Sequence, residues 1–187
     1  MDINPYAPPA TETLGATHHE IEKEEPYWFA VPLWKLGLMS VCSVGIYEIY
    51  WFYRNWKAVK QRERSFIRPF WRAFFALLFC YSCFDMIRAE GQKNVARWRP
   101  AGLLAIGYII VSLTWRAPEP YDSIAMLSFL FLLPVQRWAN EVNALKTPHC
   151  DLNDRMTWKN WTLVVIGGTL LVFIFLTQLF PEWFLEE

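Results

Sequence analysis

The residues W-T-L-V-V-I-G-G-T-L-L-V-F-I-F-L-T-Q-L-F, at positions 161–180, decide the fold class of this chain. They contain no charged side chain, and a helix of about 20 apolar residues is long enough to cross the hydrocarbon core of a bilayer. The composition agrees, because 54% of the 187 residues are hydrophobic and 18% are aromatic. These fractions exceed what soluble domains usually carry. The segment therefore predicts a membrane-spanning helix.

Four more apolar runs precede this segment, and charged connectors separate them. With the last run, they cover residues 30–52, 73–87, 101–115, 124–135 and 161–180. We expect an all-α fold, an integral membrane bundle of four or five membrane helices with amphipathic juxtamembrane extensions. The third and fourth runs predict a helical hairpin, since Pro118 and Pro120 interrupt helical hydrogen bonding between them. Asn153 or Asp154 is the expected N-cap of the last helix.

The chain divides into a tail and one domain. Residues 1–26 are acidic and contain Pro5, Pro8 and Pro9, with too little apolar surface to offset the entropy of ordering them. We expect a disordered tail there, without a cleavable signal peptide. Residues 27–187 are predicted to form a single helical membrane domain.

Basic residues give partly conflicting information on topology. Aromatic side chains crowd residues 47–56, and a basic connector at residues 54–72 follows them directly, as is typical of a cytoplasmic membrane boundary. Residues 88–99 are also basic, so both flanks of the run at 73–87 favour the cytoplasm. Either this short run is re-entrant or interfacial, or it spans the bilayer and leaves one basic connector outside. The net charge is zero, so no nucleic-acid partner is expected.

Two membrane exits, at residues 49–61 and 131–145, combine aromatic, basic and amide side chains. They are either amphipathic extensions on the cytoplasmic surface or a docking site for a protein partner or anionic lipid. We predict docking, with membrane lipids as partners and a protein partner or a second copy of the chain as the alternative. The predicted binding residues are Arg54, Trp56, Lys57, Arg64, Arg68, Arg137, Trp138 and Asn140.

Ionisable residues within or near the apolar runs support a second hypothesis, a small transporter or channel that uses Glu48 and Asp85. Charges in a membrane are costly and often mark ion pathways. However, Asp85 and Arg88 have the i,i+3 spacing of a local ion pair, and the stems of Lys35 and Arg72 are long enough to reach the interface. Structural pairing is therefore favoured over transport. Glu48 has no basic residue at i+3 or i+4.

The motif Cys80-Tyr81-Ser82-Cys83 supports a third hypothesis, thiol redox chemistry or half of a metal site. The favoured alternative is packing, because Ala73, Ala76, Cys80 and Cys83 form a stripe of small side chains that lets helices approach closely. No second C-x-x-C completes a tetrahedral site, so no metal is predicted. Nucleophile-elbow, P-loop and zinc-protease motifs are also absent, so no enzyme activity, catalytic residue or cofactor is expected.

Three motifs carry a resemblance to a known group of proteins. They are N-P-Y-x-P-P at residues 4–9, G-I-Y-x-x-Y-W-F-Y-R-N-W at 45–56 and L-L-P-V-Q-R at 132–137. With these motifs the chain resembles small multi-pass bacterial inner-membrane proteins of unknown function. The resemblance implies a bacterial inner membrane and supplies no catalytic residue.

Overall fold

A computed structural model of the chain describes residues 24–92, 100–118 and 121–180, and within them regular structure is entirely helical. The helices of the described residues are α1 (Leu33–Cys42), α2 (Ile46–Glu63), α3 (Pro69–Phe74), α4 (Ala76–Gln92), α5 (Ala101–Leu113), α6 (Phe129–Lys146) and α7 (Trp158–Leu179). Short 3-10 turns at Thr114–Arg116 and Tyr121–Leu127 connect α5 to α6. The all-α prediction is confirmed for this part of the chain. Most of the predicted disordered tail, residues 1–23, lies outside it.

The apolar run at residues 30–52 is not one helix, and the expectation of a single continuous span there is wrong. Val44 and Gly45 both have positive φ, at 50° and 83°, which turns the chain between α1 and α2. Glycine suits the second position because it has no Cβ to clash in the left-handed region. The Gly45 amide donates to the Ser40 carbonyl at the end of α1, and the Tyr47 amide donates to Ser43 Oγ at the start of α2. Hydrogen bonds at the end of α1 and the start of α2 therefore divide one apolar run into two helices.

The run at residues 73–87 is also divided, because the chain leaves helical geometry at Phe75 between α3 and α4. The predicted stripe is nevertheless confirmed as a packing surface, since Ala73, Ala76, Cys80 and Cys83 are all buried. The local ion pair is confirmed as well, with 2.5 Å between Arg88 Nη2 and Asp85 Oδ1.

The predicted hairpin of the third and fourth runs corresponds to α5 and α6, which pack closely. A Cβ added at Gly107 would lie 2.2 Å from Cε1 of Phe131, so glycine at this position permits the contact. Helix α6 begins later and ends later than the run at 124–135, because residues 121–127 form the 3-10 turn. The polar residues 137–146 continue the helix as an extension of the apolar segment.

Helix α7 is the one helix of the described residues that is both long and apolar enough to cross a membrane. Its span, Trp158–Thr177, has a mean hydropathy of 2.0, and only 6% of its most apolar window is buried within the protein. A core helix of a soluble protein would be mostly buried, so this exposure favours lipid surroundings. The apolar helices Leu33–Cys42 and Ala101–Arg116 are shorter. The structure thus supports membrane association through one helix.

The start of α7 differs from the expected cap. Its N-cap is Thr157, whose hydroxyl accepts a hydrogen bond from the Asn160 amide, and the prediction of Asn153 or Asp154 is wrong. Asn153 instead turns the preceding connector with a φ of 50°. Its carbonyl accepts a hydrogen bond from Lys35 Nζ at 2.8 Å, as does the carbonyl of Arg155. Lys35 is therefore buried, and its stem reaches the connector that precedes α7.

Helix α7 crosses α1 at Gly167, close to the middle of the apolar span. A Cβ at this position would lie 1.7 Å from the carbonyl oxygen of Cys42, the last residue of α1. At the next residue, Gly168, a Cβ would meet nothing within 4 Å. The close contact of the two helices therefore depends on one glycine.

Residues 27–31 form an irregular segment that is buried from Trp28 to Val31, and side-chain amides satisfy its backbone. We call the residues that do so, Asn55, Gln136, Asn140 and Asn143, the amide clamp. Asn143 binds both backbone groups of Trp28: its Oδ1 accepts from the Trp28 amide at 2.7 Å, and its Nδ2 donates to the Trp28 carbonyl at 3.0 Å. Asn55 and Gln136 share Phe29, since Asn55 Oδ1 accepts from the Phe29 amide at 3.1 Å and Gln136 Nε2 donates to the Phe29 carbonyl at 2.9 Å. Asn140 Nδ2 donates to the Val31 carbonyl at 3.0 Å. Buried backbone groups require such partners. The clamp therefore fixes the segment between α2 and α6.

The core lies beside this segment and is rich in aromatic rings. Trp51 and Phe52 of α2, Phe84 of α4 and Tyr108 of α5 form a cluster with ring centroids 5.0–6.3 Å apart. The Trp51 indole also donates to Gln136 Oε1 at 2.5 Å, which links the core to the amide clamp. Part of the aromatic density that suggested a membrane boundary is thus core packing.

Candidate functional site

The connector between α2 and α3 exposes an aromatic ring between two cations. Helix α2 ends at Glu63 and is followed by its C-cap Arg64, which has a φ of 46°, and α3 begins with Pro69, whose fixed φ suits the first helical position. Phe66 is fully exposed in the connector, and Arg64 and Arg68 on either side of it are exposed as well. A phenylalanine ring that stays fully exposed contributes no free energy of apolar burial to the stability of the fold. The connector is therefore a candidate contact surface.

Helix α3 continues this surface with four exposed rings. Phe70, Trp71, Phe74 and Phe75 are each at least 45% exposed. The rings pack on one another, with Phe70 stacked on Phe74 at 6.4 Å and Trp71 on Phe75 at 6.1 Å. Contiguous exposed apolar surface of this kind marks interaction sites.

Two further cations, Arg54 and Lys57 of α2, lie apart from these rings. Lys57 is exposed and Arg54 is half-buried, and both line a groove with Pro26 and Phe29; the guanidinium carbon of Arg54 lies 5.0 Å from the Phe29 ring centroid. We define the basic-aromatic surface as Arg64, Phe66, Arg68, Phe70, Trp71, Phe74 and Phe75. Two of the eight predicted binding residues, Arg64 and Arg68, belong to it.

The other six predicted binding residues lie elsewhere, and three of them face inward. Trp56 is fully buried and Trp138 is buried, while Asn140 belongs to the amide clamp. Arg137 is exposed on α6 and forms an ion pair with Glu141, with 3.4 Å between Nε and Oε1. The assignment of Trp56, Trp138 and Asn140 to a contact surface is corrected here, because their side chains have internal neighbours.

Trp56 supports the surface from below. The guanidinium carbon of Arg72 lies 4.5 Å from the Trp56 ring centroid and 5.3 Å from that of Phe79. These cation–π contacts hold α3 against α2 and leave its own rings outward. The sequence does not predict this surface because it divides α3: Phe70 and Trp71 belong to the basic connector at residues 54–72, and Phe74 and Phe75 belong to the apolar run at residues 73–87.

Other cations near α2 serve the buried segment. Arg62 lies over the rings of Tyr27 and Trp28, at 3.8 and 4.4 Å, and donates to the Tyr27 carbonyl. Burial lowers the pKa of Arg62 from its usual value. Lys146 pairs with Glu90 and lies 3.9 Å from the Tyr27 ring centroid. Both cations are structural partners of residues 27–28.

The carboxylates of the transporter hypothesis have different surroundings. Glu48 is 3% exposed, and its Oε1 accepts a hydrogen bond from Ser128 Oγ at 2.8 Å, with the Tyr108 hydroxyl as a further donor. Asp85 is paired with Arg88 and lines a groove between α4 and α5. The structure therefore gives Glu48 a polar site in the core and Asp85 a local ion pair.

The two cysteines of the C-x-x-C motif are free thiols inside the core. Cys80 and Cys83 are buried, and Cys80 Sγ donates to the Leu77 carbonyl at 3.4 Å. Within residues 24–92, 100–118 and 121–180, no group of three or more His, Cys, Asp and Glu residues is positioned to hold a metal ion.

Comparisons of the chain with protein-family models, with curated proteins and with solved structures find no match.

Proposed function

We propose that the chain is a multi-pass protein of a bacterial inner membrane that works by binding, and that its basic-aromatic surface binds anionic lipid headgroups of the cytoplasmic leaflet. The observation that carries this proposal is the row of four exposed rings on α3 and its C-cap Phe75, beside the exposed cations Arg64 and Arg68. The resemblance of the three motifs to bacterial inner-membrane proteins supports the location.

The contact of α7 with α1 supports a particular placement in the bilayer. Gly167 is near the middle of the α7 span, so its contact with Cys42 puts the turn between α1 and α2 near mid-depth. Helices α1 and α2 then form a re-entrant hairpin that enters and leaves by the side on which α7 begins. Non-helical backbone at such a depth is tolerated where protein surrounds it. The bond from Lys35 to the connector before α7 fits the same arrangement.

This placement brings α3 to the headgroup layer. Half of a hydrocarbon core of about 30 Å corresponds to about ten residues of helix, so α2 leaves it near Trp56. The stacking of Arg72 on Trp56 holds α3 at the same level. Helix α3 is therefore interfacial in our proposal, and both basic connectors flanking α3 and α4 lie in the cytoplasm. This favours the re-entrant or interfacial alternative for the run at residues 73–87.

The chemistry of the surface fits an anionic lipid. Lys and Arg near the cytoplasmic leaflet each contribute about 1 kcal/mol of attraction to anionic lipids, so Arg64 and Arg68 together supply at most about 2 kcal/mol. Aromatic rings favour the headgroup layer, where an apolar body and polar surroundings coexist. The two contributions act on the same element, because the rings of α3 follow directly after Arg68.

The test places an environment-sensitive fluorophore at Phe74→Cys in a Cys150→Ser background, since the other cysteines are buried. The protein is reconstituted in nanodiscs that contain spin-labelled phosphatidylglycerol or spin-labelled phosphatidylcholine at equal fractions. We expect stronger quenching by the phosphatidylglycerol label. The double variant Arg64→Gln, Arg68→Gln should remove the difference.

The matched control is Arg155→Gln, Lys159→Gln, which removes two exposed cations from the start of α7 and should keep the difference. Equal quenching by both lipids in the unsubstituted protein would refute lipid binding. The proposal would also be refuted in favour of a protein partner by two results together: equal quenching by both lipids, and a protein that crosslinks to this surface but no longer does so in the Arg64→Gln, Arg68→Gln variant.

Glu48 favours a second candidate function, transport of protons or cations. In the proposed placement it lies one turn from the mid-depth turn at Gly45, buried with Ser128 and Tyr108. A carboxylate at such a depth is a functional candidate by default. Flux into liposomes that is lost in Glu48→Gln and kept in Asp85→Asn would support transport through Glu48. Absence of flux in the unsubstituted protein would refute it.

A further inference from the structure

A cavity of about 560 Å³ lies beyond the contact of α1 with α7. Its lining comes from three parts of the chain: the turn after α1, the connector between α5 and α6, and the second half of α7. The lining residues used below are Val44, Trp115, Asp122, Ala125, Met126 and Ile174.

The unequal lengths of α1 and α7 create this space. Helix α1 ends at Cys42, where Gly167 of α7 contacts it, and α7 continues to Leu179. Beyond the contact, α7 has no helix of comparable length beside it among the described residues, because its extensive packing is with α1. The space between Ile174 and Val44 therefore remains open.

We infer that this cavity holds an acyl chain of a membrane phospholipid with an amine headgroup. The inference depends on the bilayer placement of α7 in the proposed function and not on the basic-aromatic surface. The cavity volume is within the range of about 300–1,000 Å³ that is usual for small-molecule sites. Its walls are mainly apolar, and in that placement they face the half of the bilayer opposite to the basic-aromatic surface.

One charged side chain defines the polar end. Among the described residues, Asp122 is the one charged side chain that lines the cavity, and its Oδ1 accepts a hydrogen bond from the amide of Ser123. Trp115 beside it and the neighbouring Tyr121 are exposed, as aromatic residues are at a membrane interface. A carboxylate at this end favours the ammonium group of phosphatidylethanolamine and disfavours an anionic headgroup. The site therefore differs in charge preference from the basic-aromatic surface.

The test uses phosphatidylethanolamine with a photoreactive diazirine at the end of one acyl chain, added to the full-length protein in nanodiscs. We expect crosslinks in the peptides that contain Met126 and Ile174. The variant Ala125→Phe, which fills the cavity, should reduce their yield several-fold, and Ala117→Phe, outside the lining, should not. If Ala125→Phe does not fold, Ile174→Trp serves instead, because it narrows the cavity from the opposite wall and should reduce the crosslink yield at Met126 to the same extent.

The headgroup preference is measured separately. Competition by unlabelled phosphatidylethanolamine should exceed competition by phosphatidylglycerol, whose headgroup carries no cation, by about two- to fivefold, as a partly exposed ion pair allows, and Asp122→Asn should abolish the difference. The double variant Arg64→Gln, Arg68→Gln should leave these crosslinks unchanged, so failure of one site is distinguishable from failure of the other. Crosslinks spread over all faces of α7 and insensitive to Ala125→Phe would overturn the inference. Protein–protein crosslinks at Ile174 would overturn it in favour of a second copy.

Discussion

The adjacent glycines Gly167 and Gly168 provide a sharp test of the packing of α7 on α1. We expect Gly167→Ala to destabilise the protein and Gly168→Ala to leave it unchanged or more stable. Only the first substitution places a Cβ against another helix, 1.7 Å from the Cys42 carbonyl oxygen, whereas the second places it in open space.

The expected magnitudes follow from this geometry. Alanine is favoured over glycine within a helix by about 1 kcal/mol, and this is the upper limit of the gain at Gly168. At Gly167 the obstacle is backbone, which cannot rotate away, so the helices must separate by more than an ångström. Overpacking of this kind typically costs about 1–3 kcal/mol, and the loss of the contact between α1 and α7 adds to it. The two variants should therefore differ clearly and in opposite directions.

The assay is the free energy of unfolding in mixed micelles, with tryptophan fluorescence as the signal. Maleimide labelling of Cys42 gives an independent readout, because this buried thiol lies at the contact and should react faster in Gly167→Ala. Equal stability of the two variants, or slower labelling of Cys42 in Gly167→Ala, would contradict the close contact.

Three further predictions concern buried polar groups and thiols. Asn143→Leu leaves the amide and carbonyl of Trp28 unpaired and should lower the free energy of unfolding by about 2–6 kcal/mol, at about 1–3 kcal/mol per buried group, while Asn160→Leu should have little effect. Lys35→Met removes the donor to the Asn153 and Arg155 carbonyls, so trypsin should cleave after Arg155 sooner than in Lys159→Met; an unchanged cleavage rate would argue against the bond. If the thiols of Cys80 and Cys83 serve only in packing, cells with the double variant Cys80→Ser, Cys83→Ser should have the same phenotype as cells with the unsubstituted protein. A changed phenotype with an intact fold would support redox chemistry.

The sequence predicted the longest apolar element best. The run at residues 161–180 corresponds to α7 because an uncharged segment of that length has few alternatives to a helix. The small-residue stripe and the pair of Asp85 with Arg88 were also predictable, since both depend on spacing within one helix. Local periodicity was sufficient for these features.

The turn at Ser43 and Gly45 was not predictable from periodicity, because the residues on both sides are equally apolar. A single glycine within an apolar run is compatible with a continuous helix, and only the capping bonds to Ser40 and Ser43 show that the chain turns there. Similarly, aromatic and basic residues alternate along α2, so the sequence did not distinguish the buried Trp56 from the exposed Lys57. Tertiary packing of α3 decides which side chains remain accessible.

The amide clamp has a consequence for biosynthesis. Trp28 and its partner Asn143 are 115 positions apart in the chain, so the segment at residues 27–31 is made long before α6 exists. Until then its amides and carbonyls can be satisfied by water, and they cannot be left bare in hydrocarbon. The segment therefore obtains its side-chain partners only after α6 has been made, although it precedes α1 in the chain. Contacts between residues so distant in sequence form slowly in general. The amino-terminal segment therefore reaches its final position only after α6 has emerged from the ribosome.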